Sequence, residues 1–100
     1  PATYISSVEQ INNPIANLTL YPNPASDAVT LEFNLSTDAN LSYEISNMLG
    51  QVVYSVPQVE LNKGGFRSVV NTTDYANGIY LVSVKNNGRT VQTMKFVINK

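Results

Sequence analysis

The sequence predicts an all-β domain, an antiparallel β-sandwich of about seven strands. Three observations carry that prediction. Apolar and polar residues alternate with a period of 2 in segment after segment, which gives a strand one buried and one wet face. Turn-forming residues punctuate those segments at intervals of about ten residues. Val, Ile and Thr together supply 26 of the 100 residues, a β-branched load that favours strands over helices. Seven short strands in a chain of this size point to an immunoglobulin-like architecture. The Cys-Trp-Cys hallmark of antibody domains is absent, so only the architecture is implied. No stretch of ten or more residues has helical periodicity, and no long repeat is visible, which excludes βαβ and solenoid designs.

Residues 1–17 read as a linker leading into a domain that begins at Leu18. Their apolar positions keep neither a period of 2 nor a sustained 3.6, and Asn12-Asn13-Pro14 is a breaker. A short helix over Ser7 to Ile11 is one local option; a first edge strand is the alternative for the segment. Leu18 to Tyr21 is a short strand stopped by Pro22-Asn23-Pro24, because proline cannot donate to a ladder. Val29, Leu31, Phe33 and Leu35 then alternate with Thr30, Glu32 and Asn34, and Leu41, Tyr43 and Ile45 with Ser42, Glu44 and Ser46. Met48 to Gln51 is a turn in which Gly50 offers positive φ. A fourth strand spans Gln51 to Val56, with Pro57 marking its end or a bulge. After Gly64-Gly65 comes a fifth strand, Phe66 to Val70, and Thr72 to Gly78 is a loop with room for one helical turn. Ile79 to Lys85 and Thr90 to Ile98 form a hairpin across Asn86-Asn87-Gly88.

Composition excludes whole classes of function. His, Cys and Trp are all absent, so there is no Ser-His-Asp or Cys-His nucleophile, no thiol chemistry, no disulfide and no ordinary zinc or haem ligation. Net charge is −1, which argues against non-specific nucleic-acid binding. Only 13% of residues are charged, and 30 neutral Asn, Ser and Thr residues supply the polar surface instead. No apolar run approaches the roughly 20 residues of a membrane-spanning helix. The chain opens with Pro1 and no signal peptide, and reads as a piece of a longer protein.

The remaining chemistry is weak. A glycosidase pair would need two of the seven carboxylates facing each other across a cleft. Glu32 and Glu44 fit one solvent face of neighbouring strands, but that face is otherwise Thr30, Asn34, Ser42 and Ser46, which reads as a solvated polar face. Asp27, Asp38 and Asp74 stand in turns rich in Asn and Ser, but none lies in a calcium-loop pattern, and isolated turn aspartates bond their own backbone. Four N-x-[ST] sequons are what 13 Asn among 17 Ser and Thr residues yield by chance. Tyr43 and Tyr80 fall on inward phases, leaving Tyr4, Tyr21, Tyr54 and Tyr75 as scattered candidates for sugar stacking. No cofactor is expected.

Charge is unevenly placed. Residues 1–74 carry a net of −5, and residues 75–100 carry Lys85, Arg89, Lys95 and Lys100 with no acid. A basic terminal hairpin on an acidic body can orient a partner. The competing reading is that these charges protect strands from edge pairing.

Four blocks occur in a telling order: Leu20 to Asp27 (LYPNPASD), Ile45 to Val53 (ISNMLGQVV), Tyr75 to Val84 (YANGIYLVSV) and Met94 to Lys100 (MKFVINK). Together they resemble the type A C-terminal sorting domain of the type IX secretion system, also called the Por secretion tail, over about Leu18 to Lys100. The resemblance implies a secretion signal with no catalysis. Such a domain ends a larger exported protein, folds in the periplasm, and is recognised by the type IX translocon and its outer-membrane shuttle protein. A sortase then removes it within the preceding linker, with the cargo reaching the cell surface or the medium. A cut within residues 1–17 or just before Pro1, and no further domain beyond Lys100, are the corresponding expectations.

The blocks also have physical readings. Pro22 and Pro24 fix φ and withhold two N–H groups, setting one path out of the first strand. Gly50 and Gly78 sit where turns need φ freedom. Tyr80, Val82 and Val84 share an inward face, as do Phe96 and Ile98, while Lys95 and Val97 take the opposite phase. The recognition surface is expected on the terminal hairpin, at Lys95, Phe96, Val97, Ile98 and Lys100 with Gly78 and Tyr80, rather than on the Pro22-Asn23-Pro24 turn. Lys95 projects from the wet phase and Lys100 from the free end, so both are expected to matter little for folding. The rival function is a surface-exposed accessory module that binds carbohydrate or protein.

Overall fold

The computed structural model of the chain describes residues 13–100, in which seven strands build two antiparallel sheets. The strands are β1 (Ile15–Tyr21), β2 (Ala28–Leu35), β3 (Ala39–Asn47), β4 (Val52–Leu61), β5 (Gly64–Asn71), β6 (Gly78–Asn86) and β7 (Arg89–Ile98). One sheet has the order β1-β2-β5 and the other β4-β3-β6-β7. The all-β sandwich expected from alternation is therefore the observed architecture. The helix option at Ser7 to Ile11, Tyr4 and most of the linker reading lie outside the described residues.

The inward phases are the ones the alternation marks. Val29, Leu31, Phe33 and Leu35 of β2 face Leu41, Tyr43 and Ile45 of β3, Tyr80, Val82 and Val84 of β6, and Phe96 and Ile98 of β7 in one buried cluster. Phe33 stacks on Phe66 at 4.8 Å between ring centroids. The Tyr43 hydroxyl reaches Ser68 Oγ in the opposite sheet at 3.0 Å, so the buried phenol keeps a polar partner. Asn87 and Gly88 both have positive φ at the β6–β7 tip, as a two-residue type I′ turn requires.

Several boundaries differ from the sequence reading. β5 begins at Gly64, so Gly64 and Gly65 pair with Leu35 and Asn34 of β2 instead of forming the turn before it. The first strand begins at Ile15 rather than Leu18. Asn17 takes φ 59° in a bulge where the β1–β2 register shifts, so Ile15 and Leu18, three apart, are both buried and the period of 2 is broken. At Pro57 the bulge option holds and the strand end does not: the register against β3 slips between Leu41, opposite Val59, and Tyr43, opposite Val56. β4 runs on to Leu61 at a sheet edge where a missing N–H is tolerated. The loop after β5 holds a hydrogen-bonded turn, Tyr75 N–H donating to the Thr72 carbonyl at 3.0 Å, and no helix.

The chain enters the sandwich at the β6–β7 hairpin end. There the Asn13 side-chain amide donates to the Val91 carbonyl at 3.3 Å, and Ser36 N–H donates to the Pro14 carbonyl. From Val91 to Ile98, β7 then runs ~23 Å to the other end of the domain.

Candidate functional site

The four sequence blocks gather at that far end. The Pro22-Asn23-Pro24 turn follows β1 and lays the next residues along the open edge of β7. Asn23 Oδ1 accepts the Val97 N–H at 3.0 Å, Ala25 N–H donates to the Val97 carbonyl at 2.7 Å, and Asn99 N–H donates to the Ala25 carbonyl at 2.9 Å. Ala25 is fully buried and forms a parallel bridge with Ile98. This crossing segment thus meets the Val97 N–H and carbonyl and the Asn99 N–H, groups that an uncovered edge strand would leave bare. Thr72, also fully buried, holds the segment from the other side: its Oγ1 donates to the Ser26 carbonyl and its N–H to the Asp27 carbonyl, both at 2.8 Å.

The loop between β5 and β6 is fastened by the chain's last residue. Lys100 N–H donates to Asn77 Oδ1 at 2.9 Å, and its Nζ donates to the carbonyls of Thr73 and Tyr75, both at 2.6 Å. Behind it the rings of Tyr75, Tyr80 and Phe96 stack in sequence, with centroids 6.0 and 5.7 Å apart. The Tyr80 hydroxyl donates to the Ala76 carbonyl at 2.7 Å. Burial pushes the Tyr75 phenol above its ordinary pKa, with Tyr54, Asp74 and Tyr80 adding to the rise. Gly78 opens β6 at φ 155°, a conformation L side chains rarely adopt.

The β3–β4 turn completes the end. Asn47 Oδ1 accepts the N–H groups of Leu49 and Gln51 at 2.9 and 3.0 Å, and Gly50 takes φ 85°. With its backbone so occupied, the turn aims its apolar side chains outward. Leu49 is 84% and Met48 63% exposed. They border a groove of about 250 Å³ that Ala76, Asn77, Gly78 and Ile79 close from the other side.

The expected recognition residues thus divide. Tyr80, Phe96 and Ile98 are buried, so in the folded domain their side chains hold the core together. Val97 is half-buried, Lys95 is exposed on the outer face, and Pro22, Asn23 and Pro24 are exposed. Turn and hairpin, treated as alternatives in sequence, are hydrogen-bonded to each other as one surface. Lys100 requires a correction: it is not a free-end charge but a clamp on two carbonyls. Sequence reasoning missed the Met48–Leu49 knob and its groove; two large apolar residues in a turn were the available signal, since a turn has no inward face to hide them.

Other chemistry finds no such assembly among the described residues. Glu32 of β2 and Glu44 of β3 lie in different sheets, so they share no face, contrary to the sequence reading. The tyrosines considered for sugar stacking that lie among the described residues do not form a platform: Tyr54 and Tyr75 pack against the core, and Tyr21 donates to Glu32 Oε1 on the outer face of the other sheet. Among the described residues, no group of three or more acidic side chains could hold a metal ion, and no helix is long and apolar enough to cross a membrane.

Comparison with known proteins covers nearly the whole sandwich. Residues 19–99 match the family model described as the secretion system C-terminal sorting domain, Por_Secre_tail. Over 86 residues the chain is 30% identical to the ulvan lyase NLR42 of Nonlabens ulvanivorans, covering 85% of this chain and 15% of that protein. In fold it is similar to part of the Porphyromonas gingivalis type IX secretion component PorZ. The TM-score is 0.54 at 22% identity, over 83% of this chain and 11% of that one. It is also similar to part of the Pseudomonas fluorescens alkylpurine DNA glycosylase AlkC. There the TM-score is 0.64 at 20% identity, over 86% of this chain and 30% of that one. The chain spans only a small fraction of the length of each of these proteins.

Proposed function

The chain belongs to the secretion system C-terminal sorting domain family, the Por secretion tail, and on that premise we propose that it directs an attached cargo through the type IX secretion system. The cargo precedes the domain, and the type IX translocon with its outer-membrane shuttle protein recognises the folded sandwich after periplasmic folding. A sortase then separates cargo from signal within residues 1–17, leaving the cargo at the cell surface or in the medium. The domain acts by being recognised and performs no catalysis of its own.

One observation supports this reading above the others. The chain enters at Asn13 beside Val91, whereas each of the four motif blocks reaches the opposite end of β7, ~23 Å away. A cargo attached ahead of Asn13 joins the domain at the end away from the motif blocks. A signal shared among unrelated cargoes needs that separation.

The test is a fusion of residues 1–100 behind a monomeric reporter, expressed in a host with a working type IX system. Surface or medium reporter that becomes periplasmic in a translocon-deficient strain is the expected result. Equal distribution in both strains would overturn the proposal.

A further inference from the structure

Outside the core, the largest concentration of apolar side chains at the motif end lies on the outer face of the four-stranded sheet. The β3–β6–β7 registers place Val52, Ser46, Leu81 and Lys95 in one row across it, with Ile79 and Val97 paired in the next row. The Met48–Leu49 turn continues the surface beyond that second row, across the groove from Ile79. Leu49, Met48, Val52 and Ile79 are 84, 63, 51 and 39% exposed. Single exposed apolar residues are ordinary, but a contiguous group of this kind marks a contact surface. Fold requirements do not account for it: the turn is secured by Asn47 and Gly50, and any polar residue at position 49 would leave those hydrogen bonds intact.

Charge narrows the occupant. On the same face, Lys85 Nζ is 3.6 Å from Glu44 Oε1. Lys100 Nζ is held by the Thr73 and Tyr75 carbonyls, and Arg89 begins β7 at the chain-entry end. Lys95 is exposed beside Leu81, with no carboxylate partner among the described residues. A second copy of this chain offers the same face two acids: Glu44, already 3.6 Å from Lys85, and Glu60, opposite Asn40 and ~20 Å along the sheet from the row of Lys95. Self-pairing centred on the motif end therefore brings no free carboxylate to that lysine.

We infer that the patch formed by Met48, Leu49, Val52, Ile79, Leu81 and Val97 docks an apolar protein surface of the export machinery, one whose rim carries a carboxylate opposite Lys95. The inference rests on the sorting function proposed above and locates its contact. Apolar burial supplies the affinity, and the lysine fixes orientation and speeds encounter.

The experiment compares reporter fusions carrying the unaltered domain, Leu49→Asp, Ile79→Thr and Lys95→Glu, with each purified fusion's melting temperature measured alongside. Leu49→Asp and Ile79→Thr are expected to melt near the unaltered domain yet lower surface reporter by about tenfold, the size of loss that removing a central contact residue produces. Lys95→Glu is expected to lower it less at high ionic strength than at low, in a cell-free assay of binding to membranes bearing the translocon. If the unaltered fusion is not exported, the sorting reading falls and this contact with it. If it is exported and a folded Leu49→Asp fusion is exported equally well, the docking surface alone is refuted. Dimerisation in sedimentation that Leu49→Asp abolishes while export persists refutes it too. Unfolding caused by Leu49→Asp would contradict the assigned exposure and overturn the proposal.

Discussion

Ala25 and Ile98 lie side by side in a parallel bridge, although 73 residues separate them in the chain. The Ala25 amide donates to the Val97 carbonyl at 2.7 Å and its carbonyl accepts from Asn99 at 2.9 Å, so the residue after the proline turn becomes a short extra strand on β7. Ala25 has no exposed surface, and a larger side chain has nowhere to go. Ala25→Leu is expected to cost about 1–3 kcal/mol through overpacking. Chemical denaturation measures it; a change within about 0.5 kcal/mol would mean that the bridge tolerates a larger residue, as a surface site does.

The central pair of the three-stranded sheet sets the scale for the core. Phe33 is 2% exposed and stacks on Phe66 at 4.8 Å. Phe33→Ala removes that contact and leaves a cavity, and the expected loss is about 3–5 kcal/mol. Against a total stability of about 5–15 kcal/mol, this brings the domain near its threshold. A loss under about 1 kcal/mol in a denaturant titration would contradict the inward placement.

Alkaline pH should destabilise the domain through its tyrosines. Burial raises the Tyr43 phenol above its ordinary value of 10.0, against the opposing hydrogen bond from Ser68, and Tyr75 is raised in the same way. A raised acid is more easily ionised in the unfolded chain. The stabilisation is therefore complete below pH 10 and is lost as pH climbs through the folded values. Melting temperature followed from pH 8 to pH 12 is expected to fall on the alkaline limb, and Tyr43→Phe is expected to flatten part of that fall. An unchanged limb in the variant would remove Tyr43 from the account.

Most of this architecture was legible because β2 and β3 alternate with a period of 2 and bury the face the pattern marks. β6 and β7 bury Tyr80, Val82 and Val84 and Phe96 and Ile98 on one phase, although Ile79, Leu81 and Val97 make the other phase apolar too and the ladder slips between Val84 and Lys85. β1 was misread at its start because a bulge at Asn17 inserts one residue and shifts the phase. That shift depends on pairing with β2, which local sequence does not display. The joining of Asn23 to Val97 and of Lys100 to Thr73 was illegible for the same reason, since both are long-range bonds between a turn and a strand end. The Met48–Leu49 knob was readable in principle: apolar residues between Asn47 and a glycine with φ 85° must face solvent.

The two terminal lysines, similar in sequence, should behave differently on substitution. Lys95 lies exposed on the outer face, where Lys95→Glu removes no hydrogen bond that the fold uses; the expected change in stability is below about 0.5 kcal/mol. Lys100 Nζ donates to the carbonyls of Thr73 and Tyr75, both at 2.6 Å. Lys100→Glu replaces that donor with an acceptor and sets a negative charge against two carbonyl oxygens. Loss of charge-assisted bonds at a solvent-exposed site, with this repulsion added, is expected to cost about 1–2 kcal/mol. Lys100→Met keeps much of the side-chain length without the charge and should fall between the two. Denaturation of the three variants separates the roles, and hydrogen exchange at residues 73–78 localises the effect, with faster exchange expected for Lys100→Glu and none for Lys95→Glu. Equal stability for all three would show that the clamp contributes nothing in solution. If the clamp holds, a combined reversal of both lysines loosens the loop beside the groove as well as changing its charge. Lys95→Glu alone is then the variant that reports on recognition.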